Sequence, residues 1–544
     1  MMLGSSLKKK LIPISEENIK AIDKIEEQIL EKTEETYAER VFEAIGNMTG
    51  EDGKVTNLGA WRQLNKINPT QKKKQVLPMS FQDNQGNLIT NYESIKKHCL
   101  TSILYRLRKR QIHPELLGLE QRKLKLSRMR LRRARKRTTI PWTLNQMEKA
   151  IKLMRNKKCR DAQGLVNELL KPDIAGKDFK MALLSLLNKT KKHLKIPQMM
   201  KIVNIALIPK PGRRNLQHIE NHRGIFLIHK FRSLLMRMLL NDKYDTINEF
   251  MSDSNVGGRK GRSVRDHLFV VNGIIHDHHY SKEKHVTFQI LDYSLCFDSM
   301  WYEEVTNDLY EAGIKDDKLA LIAKINESND LAIQTPLGLT KRENVKRIIC
   351  QGDPWGSIEC SLMVDGFGKD SLSPELQPYK YKSEVPIPLL GMVDDVLIIS
   401  ESGYKSQRLN GFINAKTAIK RLQFGRQKCQ VMHIGKNVPK HKKAQFYVDG
   451  WIMKEIENLE TNMKESTETF NGEENIEEAE NTKYLGQIIS KDGSNIKNIE
   501  NHANKGIGLV NKINTQLSNT PGGKYHFELA VIKCHSNILD HILQ

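Results

Sequence analysis

No run of about 18 apolar residues, the length a helix needs to cross a bilayer, occurs in the 544-residue chain. Neither a secretory leader nor a lipidation signal is recognisable, so the expectation is an intracellular protein, nuclear and cytoplasmic, with no membrane partner. Cysteine is scarce: the seven, at 99, 159, 296, 350, 360, 429 and 534, are odd in number and form no CxxC pair. That argues against a disulfide framework or a zinc knuckle and predicts reduced thiols. The segment KCHSNILDH near the end offers Cys and His but no second pair at zinc spacing. Internal repeats and long low-complexity tracts are missing too.

Acid is short relative to base. Lys plus Arg number 87 against 64 Asp plus Glu, a net charge of +23. An excess of that size points to a polyanionic partner, because each phosphate neutralised releases a condensed counterion. The chain is also too long for one hydrophobic core, so about three or four structural units are expected.

Between Gln121 and Arg137 acids vanish altogether: QRKLKLSRMRLRRARKR carries ten positive charges. Like charges three and four apart destabilise an isolated helix, so an unrelieved run implies a phosphate backbone nearby. Arg128, Arg130, Arg132, Arg133, Arg135, Lys136 and Arg137 are the expected contacts. A solvated charged face is the plainer reading, and a nuclear import signal is compatible with both. The opposite bias lies between Trp451 and Thr482, with ten glutamates and two lysines, which reads as a solvated acidic insertion. Residues 15–45 space isoleucines and valine near helical period behind Ser15, a plausible N-cap, and predict an amphipathic helix docked on the body. DNQGNLIT, 83–90, is a turn signal ahead of a short apolar run.

Four stretches carry candidate chemistry. LLGMVDDVLIIS, Leu389 to Ser400, sets Asp394 and Asp395 between two apolar runs and predicts a tight hairpin. One Asp suits a turn; two like charges beside a core ask for a cation. Upstream, VTFQILDYSLCFDSMW predicts a buried strand ending at Asp292, with Asp298 as an ordinary helix N-cap. Two strands that each end in a carboxylate are what nucleotidyl transfer needs, since two Mg²⁺ ions about 3.5–4 Å apart serve the attacking and leaving oxygens. VNIALIPKPGRRNLQHIENHRGIFLIHK reads as two strands joined by a basic loop, with Lys210, Arg213, Arg214 and Arg223 able to clamp a triphosphate or simply to tip a surface hairpin. IICQGDPWGS puts Gln351 and Gly352 in a loop where backbone can approach a ligand.

Taken in order, these pieces resemble the reverse transcriptase family, and within it the enzymes of non-long-terminal-repeat, LINE-like retrotransposons. LIPKPGRR…NHRGIFL resembles the fingers motifs, LDYSLCFDS the first palm carboxylate motif and QGDPWGS the template- and nucleotide-positioning motif. MVDD resembles the second carboxylate motif, LQFGRQKCQVMHIG the following palm motif and TKYLGQIISKDG the primer-grip hairpin. MRNKKCRDAQGLVNELLK resembles the segment this branch carries ahead of the fingers. The resemblance covers roughly residues 140–510 and, more weakly, 80–140.

The resemblance implies an α+β right-handed polymerase. Its expected parts are an N-terminal helical segment (1–60), a basic extension (61–145), mainly fingers (146–285), palm (286–440), the acidic insertion (441–480), then primer grip and a partial helical thumb (481–544). It further implies an RNA-directed DNA polymerase, a nucleotidyltransferase that extends a primer 3′-hydroxyl with dNTPs on RNA. Asp292 and Asp394 would bind two Mg²⁺ ions, or Mn²⁺ in their place, with Asp395 assisting. Phe297 would close the sugar pocket against a ribose 2′-hydroxyl. Lys210 and Arg223 would contact triphosphate, Gln351 and Gly352 would line the nascent base pair, and Lys428 would give a proton to departing pyrophosphate. Tyr484, Leu485 and Gly486 would hold the primer. The partners implied are RNA template, DNA primer and dNTPs. PWGSIECS departs from the family's usual continuation after Gln-Gly, no nicking endonuclease is recognisable, and a shortened element product is expected. Two rivals stand beside this reading: an RNA-dependent RNA polymerase, and a degenerate palm kept as an RNA-binding scaffold.

Overall fold

The computed structural model describes residues 78–83, 85–107, 117–136, 140–172, 174–210, 215–280, 285–382, 384–435 and 476–517. The expected helix at 15–45, Arg137, the Arg213–Arg214 loop and most of the acidic insertion lie outside the described residues. Val76–Lys497 form one compact unit. The second unit, Met1–Gln75 with Asn498–Gln544, is described only through the helix Ile496–Leu517.

Helix α1, Tyr92–Arg106, starts where the Asn91 side chain accepts from the backbone N–H groups of Glu93 and Ser94. Its buried Ile95, Cys99 and Ile103 recur every four residues and so fall on one face. That face shares a core with the strands β1, Ile202–Pro209, and β2, His222–Ile228. The two are antiparallel, as the two apolar runs around the basic loop predict. Arg106 pins the loop end of the hairpin, donating to the carbonyls of Ile219 at 2.7 Å and His222 at 3.2 Å.

Helix α2, Leu117–Arg135, holds the basic run. Helices α3, Lys230–Phe250, and α4, Val264–Tyr280, lead to strand β3, Val286–Asp292. One face of β3, Val286, Phe288 and Ile290, packs on Val271, Ile274 and Ile275 of α4. Helix α5, Tyr302–Glu311, lies against α2. Strand β4, Ser328–Thr335, runs parallel to β1 and completes the first sheet with two short antiparallel neighbours.

After helix α6, Gly356–Asp370, come β5, Leu389–Met392, and β6, Asp395–Ser400, joined by a two-residue turn. Helix α7, Gly403–Ile419, and strand β7, Gln430–Ile434, complete the second sheet. Its order is β5-β6-β3-β7, all antiparallel, with Glu477–Glu478 alongside β7. The other face of β3 is partly polar. The Gln289 amide donates to Ser406 Oγ at 2.6 Å and accepts from Asn410 at 2.7 Å, so the buried amide is satisfied by α7. Finally β8, Asn481–Tyr484, and β9, Gln487–Ser490, form a hairpin.

Candidate active site

The carboxylates come together through strand register. Asp292, the last residue of β3, is the cross-strand partner of Asp395, the first of β6. Directly opposed residues in an antiparallel pair project to the same face, so these two side chains share one side of the sheet. Asp394 precedes Asp395 in the turn, next to Val393, whose φ of 59° is a left-handed conformation that a β-branched residue adopts only under constraint. The turn thus fixes Asp394 beside the pair.

Burial raises the Asp394 carboxyl, and the Asp292 charge adds to it, while Lys428 and Arg223 oppose. Asp395 is pushed up to about 6 by burial, then by the charges of Asp394 and Asp292. Lys428 ends the short turn Arg426–Lys428, and its Nζ lies 2.7 Å from Asp292 Oδ1. Behind Asp292, the Gly425 N–H donates to its carbonyl at 2.7 Å. A Cβ at Gly425 would stand 3.3 Å from Asp292 Oδ1, so the missing side chain permits this approach.

Phe297 is half-buried in the short helix Cys296–Ser299 and packs toward the start of α6, where a Cβ on Gly356 would sit 3.6 Å from its ring. Gln351 and Gly352 form the preceding turn; Gly352 has φ 102°, a conformation that favours glycine. The Trp355 that departs from the family pattern is fully buried and donates its indole N–H to the Met236 carbonyl at 2.8 Å. Arg223 is exposed on β2, and its charge reaches Asp394. Lys210 bonds through its backbone to the Asn221 carbonyl at 2.7 Å, and its charge bears on Asp298. Asp298 is not the expected N-cap: it lies inside the short helix, its carboxyl raised by burial and held back by Arg106 and Lys210.

Two further expectations need correction. Tyr484 is 1% exposed, and its hydroxyl donates to His267 Nδ1 at 3.3 Å. Burial lowers His267 to about 4, so the ring is neutral, and the Tyr484 side chain is core rather than a primer contact. Leu485 (φ 47°) and Gly486 (φ 93°) make the tip of that hairpin, both left-handed as a type I′ turn requires. Arg130 is likewise committed inside the protein. It donates to Asn307 Oδ1 at 3.2 Å and Glu311 at 3.1 Å and lies 4.7 Å over the Tyr310 ring.

The basic helix therefore has two faces. Lys123, Ser127, Arg130 and Ala134 face the protein, with Lys123 paired to Glu304. Arg128, Arg132, Arg133, Arg135 and Lys136 are exposed. On the inward face, Glu304 and Glu311 of α5 relieve the charges of Lys123 and Arg130.

Residues 208–489 match the family model for reverse transcriptase (RNA-dependent DNA polymerase). The chain belongs to the reverse transcriptase family. No curated protein matches it. A reverse transcriptase uses divalent metal, generally Mg²⁺, and the donor set suits a hard cation: the Asp394 and Asp395 carboxyls are raised by burial first and by neighbouring carboxylate charge next, and Asp292 faces the Lys428 ammonium. Among the described residues no three His, Cys, Asp or Glu side chains gather closely enough to hold an ion unaided. Mg²⁺ typically takes one or two carboxylates and completes its shell with water and substrate phosphate.

Sequence reading missed the buried group behind the Gln-Gly turn. Arg232 of α3 is fully buried, with Nε 3.6 Å from Asp353 Oδ2 and Nη2 3.2 Å from Asn326 Oδ1. Glu359, one turn into α6, is buried with no donor on either oxygen; burial, with Asp353 adding to it, pushes it up to about 8. An arginine within the apolar KFRSLLMRMLL was the available signal.

Proposed function

We propose that this reverse transcriptase serves a non-long-terminal-repeat retrotransposon, extending a primer 3′-hydroxyl with dNTPs on an RNA template. The cross-strand register of Asp292 with Asp395, beside Asp394, carries the reading. In this account the second sheet is the palm (286–440), mainly fingers occupy 146–285, and the primer grip and thumb begin at 481. Asp292 and Asp394 hold the divalent ions, with Asp395 assisting. Two bound Mg²⁺ ions supply charge neutralisation at the attacking and leaving oxygens.

The chain's own residues do the positioning. Arg223 forks onto triphosphate oxygens, with Lys210 a second point charge. Phe297 packs where a ribose 2′-hydroxyl would sit and so favours deoxynucleotides. Gln351 and Gly352 support the nascent pair, and Lys428 moves from Asp292 to give a proton to pyrophosphate. The exposed face of α2 holds template phosphates in a sequence-independent way, while base pairing reads the sequence.

Primer extension in Mg²⁺ on an RNA template, with dNTPs and rNTPs offered separately, tests this. DNA product alone supports it. Ribonucleotide product favours an RNA polymerase. Salt-sensitive RNA binding without product favours a retained scaffold.

A further inference from the structure

Helix α7 ends in a turn that glycine usually makes. The Leu422 N–H donates to the Thr417 carbonyl at 3.0 Å and the Arg421 N–H to the Ala418 carbonyl at 2.8 Å. This is a Schellman closure with Arg421 at its left-handed position, φ 60°. An arginine held there against backbone preference points to a use for its side chain. Its guanidinium is buried, pairs with Glu120 in the first turn of α2 and lies 5.4 Å over the Trp301 ring. The neighbouring Lys420 bonds Asp308 of α5 at 2.6 Å.

From this anchor the chain wraps the end of β3. The Gln423 carbonyl accepts from the Ser294 N–H at 2.8 Å, and the Phe424 ring stacks on Tyr293 with centroids 4.7 Å apart. Gly425 donates to the Asp292 carbonyl, and Lys428 reaches the Asp292 carboxylate. A continuous set of contacts therefore runs from Glu120 through Arg421 to both sides of Asp292.

We propose that Arg421 and Glu120 are positioning residues for Asp292, so that the helix carrying the basic run also sets the aim of the metal-binding carboxylate. This rests on the reading of Asp292 as a metal ligand. Glu120 gives α2 a task separate from its exposed arginines, and the task is one of geometry: neither residue touches the reacting groups.

The test uses the full chain and three variants. Arg421→Gly keeps the turn and removes the guanidinium; Glu120→Gln removes the charge alone; Glu120→Arg with Arg421→Glu reverses the pair. Mn²⁺ affinity is measured by electron paramagnetic resonance, alongside the Mg²⁺ dependence of primer extension, RNA affinity and thermal melting. Each single variant is expected to weaken Mn²⁺ binding and raise the Mg²⁺ requirement by about ten- to a hundredfold, as loss of a ligand's supporting contact typically does. RNA affinity should stay within about twofold, and the reversed pair should recover part of the loss. Metal affinity and Mg²⁺ requirement unchanged in both single variants would overturn the proposal. So would a fall in extension that merely follows melting or RNA affinity. If the native chain binds Mn²⁺ in a pair-dependent way but extends no primer, the positioning role stands and the polymerase reading falls.

Discussion

Replacing Arg232 by methionine should be among the most destabilising single changes in the chain. The guanidinium is fully buried and serves Asp353, Asn326, Asn329 and Cys350 at once. Asp353 is buried too, and its carboxyl is already raised by burial, with Arg232 the first opposing influence. Removing one partner of such a pair leaves an uncompensated buried charge and costs about 3–5 kcal/mol. Against a typical domain stability of about 5–15 kcal/mol, that is roughly a fifth or more of the whole. The side chain volume is nearly kept, so the loss comes from charge and hydrogen bonds rather than from a cavity. Asp353→Asn preserves an acceptor for the Trp355 N–H, which Asp353 Oδ1 now caps at 3.1 Å, while removing the charge. The double variant should therefore recover about 2 kcal/mol relative to the sum of the singles. Urea unfolding at pH 7, followed by circular dichroism with the slope checked for constancy, measures both quantities. A cost below about 1 kcal/mol for Arg232→Met, or strict additivity in the double variant, would refute the reasoning.

Three further outcomes are expected. Glu359 titrates near 4.5 when unfolded and at about 8 when folded, so the native state keeps a proton that the unfolded chain loses between those values. Stability from this group is complete below about 4.5 and declines as pH rises to about 8, by up to about 1.4 kcal/mol per unit. Glu359→Gln should flatten that decline in urea melts at pH 5 to 8; an unchanged slope would contradict it. Replacing Arg128, Arg132 and Arg133 by alanine should lower the salt slope of RNA binding by about 0.7–0.9 per lost contact, whereas Arg130→Ala should leave the slope alone and lower the melting temperature. Phe297→Val should raise ribonucleotide incorporation relative to deoxynucleotide incorporation in single-nucleotide extension, with primer–template affinity unchanged.

Much of the frame of the candidate site was legible because its signals are local. Val286–Asp292 announces a buried strand by its apolar Val286, Phe288, Ile290 and Leu291, and Asp394–Asp395 sits between two apolar runs at hairpin spacing. What stayed hidden depends on pairing across the chain. That Asp395 is the residue opposite Asp292 follows from register, which no local window contains. The basic run looked unrelieved because its acids lie far along the sequence: Glu304 is 181 positions beyond Lys123. Tyr484 looked like a nucleic-acid contact from its motif, yet β8 turns it inward onto His267. Arg421 carries no sequence signal of its role, since its left-handed backbone and its pairing with Glu120 appear only in the fold.

The most direct test of the account is the single-turnover rate of dNTP addition on an RNA template at saturating Mg²⁺, compared between the native chain and Asp394→Ala. The account predicts DNA product from the native chain and a loss on the order of a thousandfold in the variant, several kcal/mol of transition-state stabilisation, with melting and RNA affinity retained. A variant within about tenfold of the native rate would contradict the assignment of Asp394 to the metal site.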